Sequence, residues 1–210
     1  MHGSLEMLDL AALLCSRICH DLISPVGALV NGLEVLEDDS DQETKAFAFD
    51  LIKKSAQQAS ARLQFCRLAF GAAGSVGAAI DLGNAETVAR GLFDDEKTKI
   101  AWNLPRLLLP KNRVKLLLNL LILADQTIPR GGAITVDAIG DGEITGFRVT
   151  AAGLNARVPQ AIPGLVSGQT GSTAVDAHAV QPFYTGLLAR SCGLAVTLAA
   201  DGDRVVISAA

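Results

Sequence analysis

Between Leu5 and Leu36 apolar side chains recur at positions 5, 8, 12, 15, 19, 22, 26, 29, 33 and 36, in alternating steps of three and four. A 3.6-residue helix gathers such positions onto one stripe, so the spacing predicts a long helix with a heptad seam. A second seam, Phe49, Ile52, Ala56, Ala59, Leu63, Cys66 and Phe70, predicts a second helix. Between them lies "EDDSDQE", in which Ser40 and Glu43 make a capping-box pattern that opens the second helix. So short a connection makes the two helices antiparallel neighbours. Around Leu10, Leu13 and Leu14 the first helix is apolar almost all round, more than one partner helix covers. A second copy of the hairpin, giving a dimeric four-helix bundle, is the simplest burial.

"GAAGSVGAA", residues 71–79, breaks the pattern and reads as a linker. It divides the chain into a helical hairpin, residues 1–72, and a mixed domain, residues 80–210. In the second part the periodicities predict helices over 84–95, 111–127 and 176–192, with a short one from Pro159. Strands are predicted over 98–103, 132–139, 143–151, 194–200 and 203–209, the last two joined by a tight turn at Asp201-Gly202. The expected class is therefore α+β: the hairpin, then an α/β sandwich with helices on one face of a largely antiparallel sheet.

Composition narrows the functional classes. Of 210 residues half are hydrophobic, enough for a sizeable core. The formal charge is −4, with 18 basic against 22 acidic residues and no basic run, so the electrostatic footprint of a nucleic-acid binder is missing. The opening "MHGSLEMLDLAALLCSR" carries acids where an export signal needs positive charge. The apolar run "VKLLLNLLILA" is too short to span a bilayer. A cytoplasmic protein without membrane attachment is expected, its four cysteines (Cys15, Cys19, Cys66, Cys192) reduced.

The candidate chemistry sits in "LLCSRICHDLISPVGAL". A haem reading is disfavoured because "CSRICH" holds one residue more than C-x-x-C-H and no export signal precedes it. A metal reading is disfavoured because Cys15 and Cys19 share the seam while His20 lies roughly 100° around the helix; the cysteines are small core residues. His20 instead projects sideways, on a polar stripe with Ser16, Arg17, Ser24, Gly27 and Asn31 that suits a docking partner. Asp21 is placed to orient the imidazole or take its proton, leaving one ring nitrogen as a nucleophile. Pro25 removes the helical hydrogen bond to the Asp21 carbonyl and is expected to bend the helix there.

"HDLISPVGAL" resembles the H-box of bacterial sensor histidine kinases, a His-acid pair followed by a proline on the first helix of a dimerising hairpin. The resemblance implies that His20 is a phosphoryl acceptor and Asp21 its adjacent acid, with Ser24 at the place of a polar residue that assists dephosphorylation. A kinase follows its bundle with a Bergerat-type ATP-binding sandwich, and the apolar pattern of that domain is present. Its nucleotide contacts are not. "LLLNLLILADQTIPRGGAITV" keeps Asn119 but has Leu123 in place of the Mg²⁺-coordinating Asn. "FRVTAAGLN" has Ala151 in place of the adenine-binding Asp and Asn155 in place of a glycine, and "HAVQPFYTGLLARSCG" lacks the glycine-rich phosphate loop. Mg²⁺ ligands and close backbone approach are what a triphosphate needs.

A kinase-like fold without a nucleotide site is similar to the ChpT-type histidine phosphotransferases, over essentially the whole chain. What this implies is a homodimeric relay component of a phosphorelay. His20 takes a phosphoryl group from the receiver domain of a hybrid histidine kinase (CckA-like) and passes it to receiver domains of cell-cycle response regulators (CtrA-like, CpdR-like). No cofactor is expected on this chain, Mg²⁺ being supplied by the partner receiver. Arg17 is expected to neutralise the phosphoryl group or anchor the partner, unless it is a plain surface residue. Two other readings stay open: a divergent ATP-dependent sensor histidine kinase, separated by ATP binding, and a non-catalytic dimeric adaptor, separated by label transfer. His178 and His2 carry no assigned role.

Overall fold

The computed structural model describes residues 5–38, 41–71, 78–169 and 175–210. The heptad-patterned segments form two packed helices, α1 (Met7–Glu37) and α2 (Gln42–Ala69). α1 runs on as one helix through Pro25, which is buried. Farther along, buried Gly32 brings α1 close to α2: a Cβ there would stand 2.6 Å from Ile52 Cγ1. α2 is opened by Asp41, not by Ser40, which lies outside the described residues. Asp41 Oδ1 accepts from the Glu43 and Thr44 amides at 2.9 Å each, and Oδ2 accepts from Thr44 Oγ1 at 3.0 Å. The Thr44 hydrogen bonds, backbone first, hold the Asp41 carboxyl below the usual carboxylate range.

Within the chain, α1 and α2 meet through faces other than much of the two heptad stripes. Pro25 and Gly32 are the fully buried positions of α1, while the stripe residues Leu8, Val26 and Leu33 are exposed. On α2 the same is true of Phe49 and Leu63. Leu22, Leu29 and Leu36 are only half-buried. The hairpin thus leaves a periodic apolar surface outside. α1 is also long and apolar enough, by length and composition, to cross a membrane, yet it packs along α2 as half of this hairpin.

Of the linker, residues 72–77 lie outside the described residues. The second unit opens with β1 (Ala79–Asp81), which pairs antiparallel with β3 (Leu108–Pro110); this small ribbon was not expected from the sequence. Asp81 caps α3 (Leu82–Phe93) through the Gly83 and Asn84 amides, so that helix starts and stops two residues before the expected 84–95. β2 (Thr98–Trp102), α4 (Lys111–Thr127), β4 (Gly132–Ile139), β5 (Gly146–Ala152), β6 (Val196–Asp201) and β7 (Arg204–Ala209) follow the expected order. The short α5 (Ile162–Ser167) and α6 (Val180–Ser191) lie between β5 and β6. The sheet order is β2-β4-β5-β7-β6, with β2–β4 parallel and the remaining pairs antiparallel.

The last hairpin turns at Gly202-Asp203, because Asp201 still pairs with Arg204; the expected turn at Asp201-Gly202 is therefore one residue early. Gly202 has φ 57° at the first loop position, the conformation a two-residue hairpin of the II′ kind requires there. β5 starts at Gly146, later than residue 143, after a turn in which Gly140 and Gly142 take positive φ.

Alternation with a period of two sends Ile134, Val136, Phe147, Val149, Ala151, Val205 and Ile207 to one face, where all are fully buried under the helices. α4 lies at the centre and is apolar nearly all round: Val114, Leu116, Leu117, Leu118, Leu120, Leu121 and Leu123 are inaccessible. The core extends into the hairpin through Phe65 and Ala69 at the end of α2. One buried polar cluster joins these layers. Asn119 Nδ2 donates to the Ala69 carbonyl at 3.2 Å and to the Lys115 carbonyl at 2.9 Å, and its Oδ1 accepts from Gln181 Nε2 of α6 at 3.2 Å.

Candidate functional site

His20 lies near the middle of α1, one position past Cys19 of the heptad stripe, and its side chain is 62% exposed. Its Nδ1 faces Asp21 Oδ1 at 3.3 Å. Asp21 is fixed from its other oxygen: Arg17 Nε, one turn earlier, donates to Oδ2 at 2.9 Å, and both side chains are three-quarters or more covered. A carboxylate clamped by a guanidinium is a firm acceptor for the Nδ1 proton. With the proton on Nδ1, facing Asp21, the free lone pair lies on Nε2, on the ring edge remote from Asp21. An exposed imidazole with one nitrogen facing a carboxylate and the other free can act as a nucleophile.

Ser24, Gly27 and Asn31 extend from His20 along the same helix as exposed positions, with Ser16 one turn before it. Arg17 departs from that stripe. It turns inward to Asp21 and lines a cleft of about 280 Å³ between the hairpin and the sandwich, together with Arg62, Cys66, Asp95 and Gln181. Cys66 is buried beneath the site; burial, then the charge of Asp21, push its thiol up to about 11. Cys15 and Cys19 are exposed in the single chain. Among the described residues, no three His, Cys, Asp or Glu side chains come together as metal ligands would.

His178 is the residue that sequence reasoning left without a role. Asp176 Oδ1 accepts from the His178 and Ala179 amides at 2.9 and 2.8 Å, capping the turn that leads into α6. The Ala179 and His178 amides together hold the Asp176 carboxyl below its usual range. The turn carries the His178 ring to His20, with ring centroids 5.2 Å apart and planes at 79°. "DAHA" signals a helix start. Nothing in it points to a residue 158 positions earlier, which only the docking of α6 against α1 brings near.

The positions matched to a kinase nucleotide site are occupied by packing. Leu123 and Ala151 are completely buried, and both faces of the Asn119 amide are hydrogen-bonded inside the protein. Asn155 keeps a left-handed backbone, φ 62°, where the kinase pattern has a glycine.

Residues 82–204 match the sequence profile of the histidine phosphotransferase C-terminal domain. The chain belongs to that family of protein phosphotransferases, which work in phosphorelays. It is 50% identical over 206 residues to the protein phosphotransferase ChpT of Brucella abortus (strain 2308), covering 98% of this chain and 97% of that one. A solved bacterial phosphotransferase superposes over 100% of both chains with a TM-score of 0.90 and 48% identity. A histidine kinase domain from the blue-light activated kinase of Erythrobacter litoralis matches more distantly, at 12% identity and a TM-score of 0.46 over 89% of this chain and 92% of that one.

Proposed function

We propose that His20 is the residue through which this phosphotransferase relays its phosphoryl group. The observation that carries the reading is the pairing of an exposed His20 ring with Asp21 at Nδ1 only, 3.3 Å away. In the forward step the Nε2 lone pair attacks the phosphorus of an aspartyl phosphate. The P–N bond forms as the P–O bond breaks, and the donor Asp leaves as a carboxylate. The second step is the reverse, with the carboxylate of another receiver attacking and Nε2 leaving. Asp21 holds the Nδ1 proton throughout, so no base is consumed.

Transfer of this kind rests on positioning and charge stabilisation. Arg17 is engaged by Asp21, and Asp21 by both neighbours, so this set does not fit a Mg²⁺ ion. The metal that neutralises the phosphoryl charge is the receiver's. The donor is the receiver domain of a hybrid histidine kinase and the acceptors are receivers of response regulators, with cell-cycle control as the setting. ATP takes no part, since Leu123 and Ala151 replace its contacts and are buried.

A second copy of the chain covers the stripe of Leu8, Val26, Leu33, Phe49 and Leu63, making a four-helix bundle that presents two His20 rings. The apolar surface of α1 is used in this way in a cytoplasmic dimer. The test of the whole reading is label transfer. A ³²P-labelled receiver domain of a hybrid kinase should phosphorylate the protein, and His20→Ala should take no label. The bond should be acid-labile and base-stable. Acid-stable label on His20→Ala would place the acceptor elsewhere.

A further inference from the structure

His178 belongs to the sandwich, yet its ring stands edge-to-face against the reacting imidazole of the hairpin. The Nδ1–Asp21 contact at 3.3 Å is long for a hydrogen bond and acts on one edge of the ring. Alone it leaves His20, 62% exposed, free to swing about its side-chain torsions. A perpendicular ring at 5.2 Å blocks one flank and is the arrangement that aromatic quadrupoles favour.

The mounting of His178 is firm. Asp176 caps its turn through two amides. One turn on, Gln181 Nε2 donates to the backbone carbonyl and the Oδ1 of Asn119, at 3.1 and 3.2 Å, so α6 is bolted to α4. Asn119 in turn holds the Ala69 carbonyl of α2. A continuous hydrogen-bonded path therefore leads from the hairpin, through Asn119, to the helix that directly follows His178. The kinase-like sandwich has a structural reason to be retained without a nucleotide.

Building on the reading of His20 as the phosphoryl carrier, we propose that His178 is a positioning residue of phosphotransfer, delivered by the sandwich domain to hold the His20 ring with Nε2 directed outward. It acts through ring packing, not by touching the phosphoryl group. In-line displacement is sensitive to alignment, and misplacement by about 1 Å costs up to about a hundredfold in rate. Loss of one of two restraints should cost less, about tenfold.

The experiment uses the full chain with His178→Ala and His178→Phe, a ³²P-labelled receiver domain of a hybrid kinase as donor, and single-turnover transfer over a range of receiver concentrations. The limiting rate of His178→Ala should fall about tenfold, with the half-saturating receiver concentration unchanged, and His178→Phe should restore the rate. An Ala variant as fast as wild type, one impaired only in half-saturation, or a Phe variant as slow as Ala would overturn the proposal. A partner-free measurement separates it from the relay reading. His178→Ala should shift the His20 ring C–H signals in NMR through the lost ring current. Unmoved signals sink the positioning role even if His20 carries phosphate; a wild-type chain that accepts no label sinks the relay reading while the ring contact is still scored.

Discussion

Asn119 of α4 donates to the carbonyl of Ala69 at the last turn of α2, 3.2 Å away, and so joins sandwich to hairpin inside the core. Its side-chain amide is hydrogen-bonded within the protein at both nitrogen and oxygen, and the side chain is fully buried. Asn119→Ala removes two donors and an acceptor at once and strips the Ala69 carbonyl of its side-chain donor, while Gln181 Nε2 keeps the Asn119 backbone carbonyl and Thr185 Oγ1. A buried group so orphaned costs about 1–3 kcal/mol. The variant should melt several degrees below wild type and show looser protection of α6 in hydrogen exchange. An unchanged melting temperature would mean that the bolt carries no stability.

The same occupancy predicts that ATP finds no site. Leu123 supplies no metal ligand and Ala151 no adenine acceptor, and both are inaccessible. A charge-assisted contact is worth about 1.5–3 kcal/mol, and every 1.4 kcal/mol is about tenfold in affinity. Two lost contacts thus remove orders of magnitude. Calorimetry with millimolar Mg-ATP should give no saturable heat. Micromolar binding would revive an ATP-dependent kinase.

The two heptad stripes make a prediction about assembly. Leu33 is 52% exposed in the chain, so Leu33→Asp costs the protomer little and places an unpaired charge in the proposed dimer seam. Light scattering should show a dimer for wild type and a folded monomer for the variant. Cysteines report the same event independently. Cys15 and Cys19 lie on the α1 stripe and are exposed in one chain. Iodoacetamide at pH 8 should label them slowly in wild type and rapidly in Leu33→Asp. Cys66, its thiol pushed up to about 11 and buried, should stay unlabelled in both until denaturant is added. Rapid labelling of Cys15 in wild type would place the seam in solvent.

The two long helices and the sandwich order were legible because their signals are local. A heptad spacing, an alternating strand or a Gly in a turn decides its own segment without reference to the rest. Errors fell where local signals compete: Asp41 and Ser40 are adjacent cap formers, and the acid one residue nearer the helix took the role. The β1–β3 ribbon was invisible because three-residue strands have no period to read. At the site, His20 and Asp21 stood side by side in the sequence. Arg17 did too, but helical spacing alone did not show that it would turn inward to Asp21 rather than outward to a partner. His178 was out of reach, since its place beside His20 depends on how α6 docks on α1.

The face that a receiver uses can be tested at Gly27. Seven residues beyond His20, it lies about 10 Å along the helix axis on the side that carries Ser24 and Asn31. It is exposed, and a Cβ added there meets nothing within 4 Å, so a side chain at this position starts into open space. Glycine inside a helix costs about 1 kcal/mol against a good helix former such as arginine. Gly27→Arg should therefore melt no lower than wild type and remain dimeric. A receiver that seats its own helix on this bare stretch of backbone must collide with the guanidinium. Label transfer into and out of His20 should both slow, while phosphorylation of His20 by phosphoramidate, a donor too small to need the face, should proceed at the wild-type rate. If receiver transfer were as fast as in wild type, the partner would have to approach His20 from the other side, past α6.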